Sequence, residues 1–304
     1  MSLERKTTVY DTAGRNTAAA GSVPFGSEGP GIPASPEEEA AWRTLLALRR
    51  ARLASQAGGN GSATPLEIAS RDTSPAAARL FDLYLPLCAP GRRLVVGHLG
   101  QSLDGKIATG TGHSRFINGA PNILHLHRLR ALVDGIVVGA GTVAADDPQL
   151  TVRLCDGPCP TRIVIDTNRR LRDSHRLFND GAAPTLAVCA EDVLPVGEQR
   201  IGRAELLGVK RSGDWIDVHA LLASLAGRGL RSLLVEGGGV TVSRFLAARA
   251  LDRLQITIAP VIIGSGRPGV TLPAIARMDE ALRPPVRRFE LGDDVLFECL
   301  FEKS

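Results

Sequence analysis

Aromatic residues make up only 4% of this 304-residue chain, too few to build stacking platforms for single-stranded nucleic acid. A dense run of Lys or Arg is also missing. The 36 basic and 32 acidic side chains leave a net charge of +4, too mild for a nucleic-acid footprint but compatible with an anionic small substrate. No apolar run approaches ~18 residues, so no membrane span is expected. Met1-Ser2-Leu3-Glu4-Arg5 opens the chain without the apolar stretch of a secretory signal. Five cysteines, Cys88, Cys155, Cys159, Cys189 and Cys299, are odd in number and irregular in spacing. They read as reduced thiols of a cytoplasmic protein. The glycine run at 237–239 does not have the form G-x-G-x-x-G of the dinucleotide fingerprint. The H-x-E followed by P-C-x-x-C of a zinc deaminase is lacking, since Pro158-Cys159 runs into Pro160-Thr161-Arg162. No metal is expected.

The order of what is present suggests two regions. Residues 1–90 read as a flexible tail, rich in Gly, Ala, Ser and Pro to about residue 36, followed by an accessory helical arm. Ser35 before Pro36 and three glutamates is a helix start. Trp42, Leu45, Leu46, Leu48 and Leu53 give that helix an apolar side, and Leu80 to Leu87 form a second short lead-in. Residues 91–304 form the main domain. Apolar runs at 94–99, 135–139, 162–166, 185–189, 232–235 and 254–259 alternate with helical patterns at 120–133, 217–227 and 240–250. Buried strands alternating with helices predict an α/β fold, its mostly parallel sheet covered on both faces. Residues 287–301, around Gly292-Asp293-Asp294, predict a closing antiparallel hairpin.

Chemistry-bearing residues cluster where such strands end, which is where ligands bind in open α/β sheets. Leu233-Leu234-Val235-Glu236-Gly237-Gly238-Gly239 is a strand, a carboxylate and a glycine turn that opens a helix. Such a turn admits an anion close to the backbone, and the helix N-terminus offers free N–H groups. A plain structural turn is the competing reading. Gly139 to Arg153 is a second glycine-rich block. In it Gly141 and Thr142 can donate to a phosphate or ribose. The adjacent acids Asp146 and Asp147 can hold a sugar or ring nitrogen, or merely cap a turn. Arg153, and Arg130 in the preceding helix, carry the fork that suits a phosphomonoester. Ser102-Leu103-Asp104-Gly105-Lys106 is a third block, which could equally be a tight turn. His125 and His127 do not share a helix face and make a poor metal pair.

Together, Ser102-Leu103-Asp104-Gly105, His127-Arg128-Leu129-Arg130, Gly141-Thr142 with Asp146-Asp147-Pro148-x-Leu150-Thr151-Val152-Arg153, and Val235-Glu236-Gly237-Gly238 resemble the reductase domain of the riboflavin-biosynthesis deaminase/reductase. That domain belongs to the dihydrofolate-reductase-like superfamily, and the resemblance covers about residues 92 to 301. It implies NADPH-dependent reduction of 5-amino-6-(5-phosphoribosylamino)uracil, a phosphorylated small molecule, with hydride delivered to C1′ of the ribose. It also implies a homodimer. By position it places Gly100, Phe116, Thr142, Asp146, Gly238, Gly239, Val240, Thr241 and Arg244 toward the cofactor. Ser114, Arg130, Leu150, Arg153 and Glu236 would face the substrate, and Asp146 and Lys106 are the candidates for the proton-transfer step. Phe116 stands where the family commonly has Trp, and His113 where it has Glu. The same fold acting on another pterin- or pyrimidine-like substrate therefore stays open, as does a non-catalytic nucleotide-binding module. Arg169 and Arg170 are candidates for a 2′-phosphate or plain surface charge.

Overall fold

A computed structural model of the chain describes residues 35–56, 74–89, 93–115 and 117–301. The expected tail, to residue 34, lies outside these residues, and so does Phe116. Among the described residues two helices come first, α1 (Pro36–Gln56) and α2 (Pro75–Tyr84). Ser35 and Glu38 close α1 reciprocally: Glu38 N–H donates to Ser35 Oγ at 3.2 Å and Ser35 N–H to Glu38 Oε2 at 3.1 Å. This is a capping box. Ser74 caps α2 by accepting from Ala77 N–H.

The strands are β1 (Leu94–Ser102), β2 (Lys106–Thr109), β3 (Gly135–Gly139), β4 (Thr161–Ile165), β5 (Thr185–Ala190), β6 (Arg200–Ile201), β7 (Ala204–Val209), β8 (Arg211–Ser212), β9 (Trp215–Ile216), β10 (Ser232–Val235), β11 (Arg253–Ala259), β12 (Gly266–Pro268), β13 (Val286–Leu291) and β14 (Asp294–Leu300). The helices between them are α3 (Ala120–Leu132), α4 (Ala140–Asp146), α5 (Arg176–Asn179), α6 (Val218–Gly227) and α7 (Gly239–Ala247). One ten-stranded sheet runs β13-β14-β11-β1-β10-β3-β4-β5-β7-β6. It is parallel from β11 to β7 and antiparallel at both edges. The α/β class, the mostly parallel sheet and the C-terminal hairpin expected from the sequence all form. The hairpin turns at Gly292, whose φ of +68° a side chain would resist.

Alternation along each strand divides the core in two. Val96, Ile136, Val138, Val164 and Leu234 face a cluster that includes Trp42, Leu45 and Leu48 of α1, Leu80 and Phe81 of α2, and Leu129 and Leu132 of α3. Val95, Leu99, Val137, Ile163 and Leu233 face Leu221, Leu222 and Leu225 of α6 and Phe245 of α7. The sequence pattern predicts no strand across 196–217. That stretch forms β6 to β9, pieces mostly of two residues with little room for a hydrophobic period. The expected loop from Gly100 to Gly112 contains the end of β1 and all of β2. The Gly139–Arg153 block opens at the last residue of β3 and continues into α4.

One polar chain crosses the first core. Tyr84 Oη lies 2.7 Å from His125 Nδ1, His125 Nε2 2.8 Å from Gln255 Oε1, and Gln255 Nε2 donates to Glu298 Oε1 at 3.1 Å. Arg253 and Arg287 pair with Glu298. Gln255 Oε1 can only accept, so His125 carries its proton on Nε2 and Tyr84 donates to Nδ1. Burial lowers the pKa of His125 to about 3 and that of His98, whose ring lies 5.6 Å away, to about 4. His127 also falls to about 4, through burial and then Arg130 and Arg153. A base whose pKa drops on folding binds protons more readily in the unfolded chain. The stabilisation from keeping these rings neutral is therefore complete above the unfolded value of ~6.5 and is lost as pH falls from there toward 4. Each ring contributes a slope of up to ~1.4 kcal/mol per pH unit in that window. Urea unfolding should show at least ~2 kcal/mol less stability at pH 5 than at pH 7. Equal stabilities would contradict neutral burial of the three rings.

Candidate active site

Topology, not sequence proximity, assembles the site. β10 lies between β1 and β3, with Val96 opposite Leu234 on one side and Val235 opposite Val137 on the other. The carboxyl ends of β1, β10 and β3 therefore sit side by side, and each opens into one of the three blocks read from the sequence. Gly238 N–H donates to Thr142 Oγ1 at 2.9 Å across 96 residues of chain. Glu236 N–H donates to Val137 O at 2.9 Å, which sets the carboxylate just beyond the sheet.

Glu236 meets Arg130, the basic residue of the last turn of α3. Arg130 Nε donates to Glu236 Oε2 at 3.1 Å, Nη2 donates to Oε1, and Nη1 donates to Thr151 O at 3.2 Å. Side-chain exposures of 10% and 12% shield the pair from water. All three nitrogens of the fork are thus engaged, so Arg130 holds Glu236 and the 150–153 segment rather than pointing a free cation outward. Arg153 differs. Its backbone N–H donates to His127 Nδ1 at 2.9 Å and its Nη1 to Thr151 Oγ1 at 2.7 Å, but its side chain is exposed with no acid beside it among the described residues. Accepting that bond requires a neutral His127 ring, in line with its lowered pKa. His125 and His127 thus serve opposite sides of α3. Leu150 is buried at a φ of +55°, a left-handed conformation rare for a non-glycine residue and a mark of local strain.

The glycine turn suits a pyrophosphate. Gly237 has a φ of +96° and Gly238 is the N-cap of α7, with no side chain occupying the cap. A Cβ on Gly239 would lie 2.0 Å from Gly269 O and 2.7 Å from Pro268 O, so only glycine fits. Val240 is exposed, while Thr241 is buried with its hydroxyl against Gly139. Arg244 is placed apart from the turn. It sits in the last turn of α7, paired with Asp214 at 2.9 Å and stacked 5.8 Å over the Trp215 ring. Gly100 borders Asn118, whose Oδ1 fills the space a Cβ would take.

The third block forms a ribbon. β2 pairs with β12, and Gly269 N–H donates to Gly105 O at 3.0 Å, so the ribbon lies against the N-terminus of α7. Asp104 is the clasp. Its carboxylate accepts from Ser102 Oγ at 2.6 Å, Ile263 N–H at 3.1 Å and Gly264 N–H at 2.7 Å. The Ser102 bond, with the two backbone donors, lowers its pKa to about 2. Lys106, at the start of β2, is half-buried. Asp146, the last residue of α4, is exposed, and neither makes a side-chain hydrogen bond or ion pair among the described residues. Ser114 is half-buried in the loop after the ribbon. Asp147 turns out to be an anchor: it is left-handed at φ +38° and its Oδ1 accepts from Arg176 N–H at 2.9 Å.

Sequence reading missed Arg162. It is 1% exposed and donates to Asp180, Thr185 and the carbonyls of Leu177, Ala183 and Gln149. It thereby ties the Asp-Asp-Pro-Gln loop to β4, a role hidden inside an apolar strand pattern. A cavity of about 330 Å³ lined by Arg52, Leu94, Ser232 and Arg253 lies at the amino ends of the strands, away from these groups.

Known proteins share this sequence and fold. The family model of the RibD C-terminal domain matches residues 93–283. The chain is 38% identical over 218 residues to the 2,5-diamino-6-ribosylamino-4(3H)-pyrimidinone 5′-phosphate reductase of Methanothermobacter thermautotrophicus, covering 68% of this chain and 97% of that protein. It is 35% identical to the riboflavin biosynthesis protein RibD of Bacillus amyloliquefaciens, but spans only 51% of it, with 62% of this chain covered. Among solved structures, the deaminase/reductase of Thermotoga maritima superposes with a TM-score of 0.57 at 25% identity over 73% of this chain and 59% of that one. The riboflavin biosynthesis reductase of Saccharomyces cerevisiae gives 0.54 at 25% identity, over 69% of this chain and 90% of its own.

Proposed function

Because the chain belongs to the RibD C-terminal domain family and is a reductase of riboflavin biosynthesis, we propose that its site binds NADPH beside a 6-ribosylaminopyrimidine 5′-phosphate and reduces the sugar at C1′. The junction of the two glycine blocks by the Thr142–Gly238 hydrogen bond, with the Arg130–Glu236 pair beside it, carries this reading. When bound, the reduced nicotinamide supplies a hydride, and C1′ becomes the first carbon of an open ribityl chain.

The protein's own part is positioning. Gly239 and Val240 present backbone N–H groups to the pyrophosphate, Gly238 N–H being held by Thr142 Oγ1, while Gly100, Gly238, Thr142 and Thr241 line the cofactor side. Arg153 takes the 5′-phosphate, with Ser114 and the Leu150 backbone beside it. Glu236, oriented by Arg130, faces the polar edge of the substrate. Lys106 and Asp146 are the groups we assign to moving the proton that ring opening requires. The protein acts in the cytoplasm as a homodimer.

Two pyrimidine rings compete as substrate. The motifs resemble enzymes that reduce the 5-aminouracil, whereas the relative matched over almost its whole length is named for the 2,5-diamino ring. Turnover of each compound by the purified chain decides between them, and inactivity on both rejects the proposal. For the cofactor, Arg169 is taken up by Glu198 in a two-bond pair at 2.9 and 2.8 Å, which leaves the exposed Arg170 for the 2′-phosphate. Arg170→Ala should weaken NADPH by about tenfold, the worth of one charge-assisted bond, and leave NADH unchanged. Equal effects on both cofactors would reject the assignment.

A further inference from the structure

The substrate-side segment is held from behind by α1, a helix that precedes residue 93, where the family match begins. Trp42, 6% exposed, donates from Nε1 to Asp156 O at 3.0 Å, three residues beyond Arg153. Next to it, Gly157 has a φ of +141° and no room for a side chain. A Cβ there would lie 2.6 Å from Ala131 Cβ of α3 and 3.3 Å from Leu46 Cδ2 of α1. The loop is therefore pressed between the two helices. From α3, His127 Nδ1 receives the backbone N–H groups of Arg153 and Leu154 at 2.9 and 3.4 Å. Trp42 is itself fixed by the Tyr84 ring, edge-on at 5.9 Å, and by the Arg128 guanidinium 5.7 Å over its face. Arg153 stands on a backbone tied on one side by α3 and on the other by α1.

We propose that Trp42 is a positioning residue for substrate, and that α1 serves as a built-in buttress setting where Arg153 meets the 5′-phosphate. This rests on the assignment of Arg153 to the phosphate. The indole N–H is a directional donor on a side chain otherwise locked by packing, so its loss frees the loop while the apolar contact persists.

The test uses the full chain. Trp42→Phe keeps a ring against Tyr84 while removing the donor and part of the buried ring surface, and Leu46→Ala loosens the same loop should the first variant fold poorly. Steady-state rates are measured on the phosphorylated substrate and on its dephosphorylated form. The expected result is a rise of about fivefold in KM for the phosphorylated substrate, the worth of one neutral hydrogen bond. With it, kcat and the KM for NADPH stay within about twofold and kcat/KM on the dephosphorylated form is unchanged. An equal loss on both substrates, or no change on either, overturns the proposal, because a purely structural helix does not single out the phosphate. Arg153→Ala separates the two levels. If it leaves the preference for the phosphorylated form intact, the phosphate assignment fails. If it abolishes that preference while Trp42→Phe does not touch it, the buttress alone fails.

Discussion

Gly239→Ala is expected to weaken NADPH binding by roughly 10- to 100-fold. The added Cβ would lie 2.0 Å from Gly269 O and 2.7 Å from Pro268 O, and both are backbone atoms that no side-chain rotation can move aside. Either the first turn of α7 tilts or the β2/β12 ribbon lifts. Each response misplaces the N–H groups proposed to hold the pyrophosphate. Overpacking that forces backbone shifts costs ~1–3 kcal/mol, and ~2.7 kcal/mol is a factor of about 100 in affinity. Gly141→Ala is the matched control. A Cβ there meets nothing within 4 Å on an exposed helix position, where alanine is the better helix former. Cofactor titrations of the two variants should therefore diverge. Similar affinities would show that the turn at Gly239 does not hold the cofactor.

Arg130→Ala is expected to lower kcat/KM by about 100- to 1000-fold with little change in NADPH affinity. Removing one partner of a shielded pair strands the other charge, a loss of ~3–5 kcal/mol, and ~3–4 kcal/mol corresponds to that range of rate. Glu236 would lose both bonds and Thr151 O its donor, so the substrate side loosens in two places at once. Arg130→Lys keeps the charge but not the fork and should recover only part of the activity. Full activity in Arg130→Ala would mean that Glu236 needs no orienting partner and that its place at the strand end is incidental.

The sheet was readable in the sequence where strands are buried on both faces. Such strands need no alternation of apolar and polar residues. Gly135-Ile136-Val137-Val138-Gly139 and Ser232 to Val235 are near-continuous apolar runs, and both are strands in the structure. The C-terminal hairpin showed through its Gly292 turn. Short pieces without a hydrophobic period, β2, β6, β8, β9 and β12, did not. Of the candidate site, the glycine turn, Thr142 and Glu236 could be proposed from the sequence because glycine and strand-end acids have local causes. What could not be read was pairing: that Arg130 is consumed by Glu236, Arg169 by Glu198 and Arg244 by Asp214. Each partner arrives from a distant segment, and spacing along the chain carries no trace of it. Arg162 and the Tyr84–His125–Gln255 chain escaped for the same reason, being polar groups satisfied across elements inside an apolar pattern.

The most direct measurement follows the hydrogen itself. The purified chain is given the ribosylaminopyrimidine 5′-phosphate and NADPH carrying deuterium at the transferable position of C4, in ordinary water, and the product is read by mass and proton spectra. One deuterium on C1′ of a ribityl product is the expected result. Unchanged substrate, or a product whose C1′ hydrogen comes from water, would contradict a site in which the two glycine blocks bring a nicotinamide against the sugar.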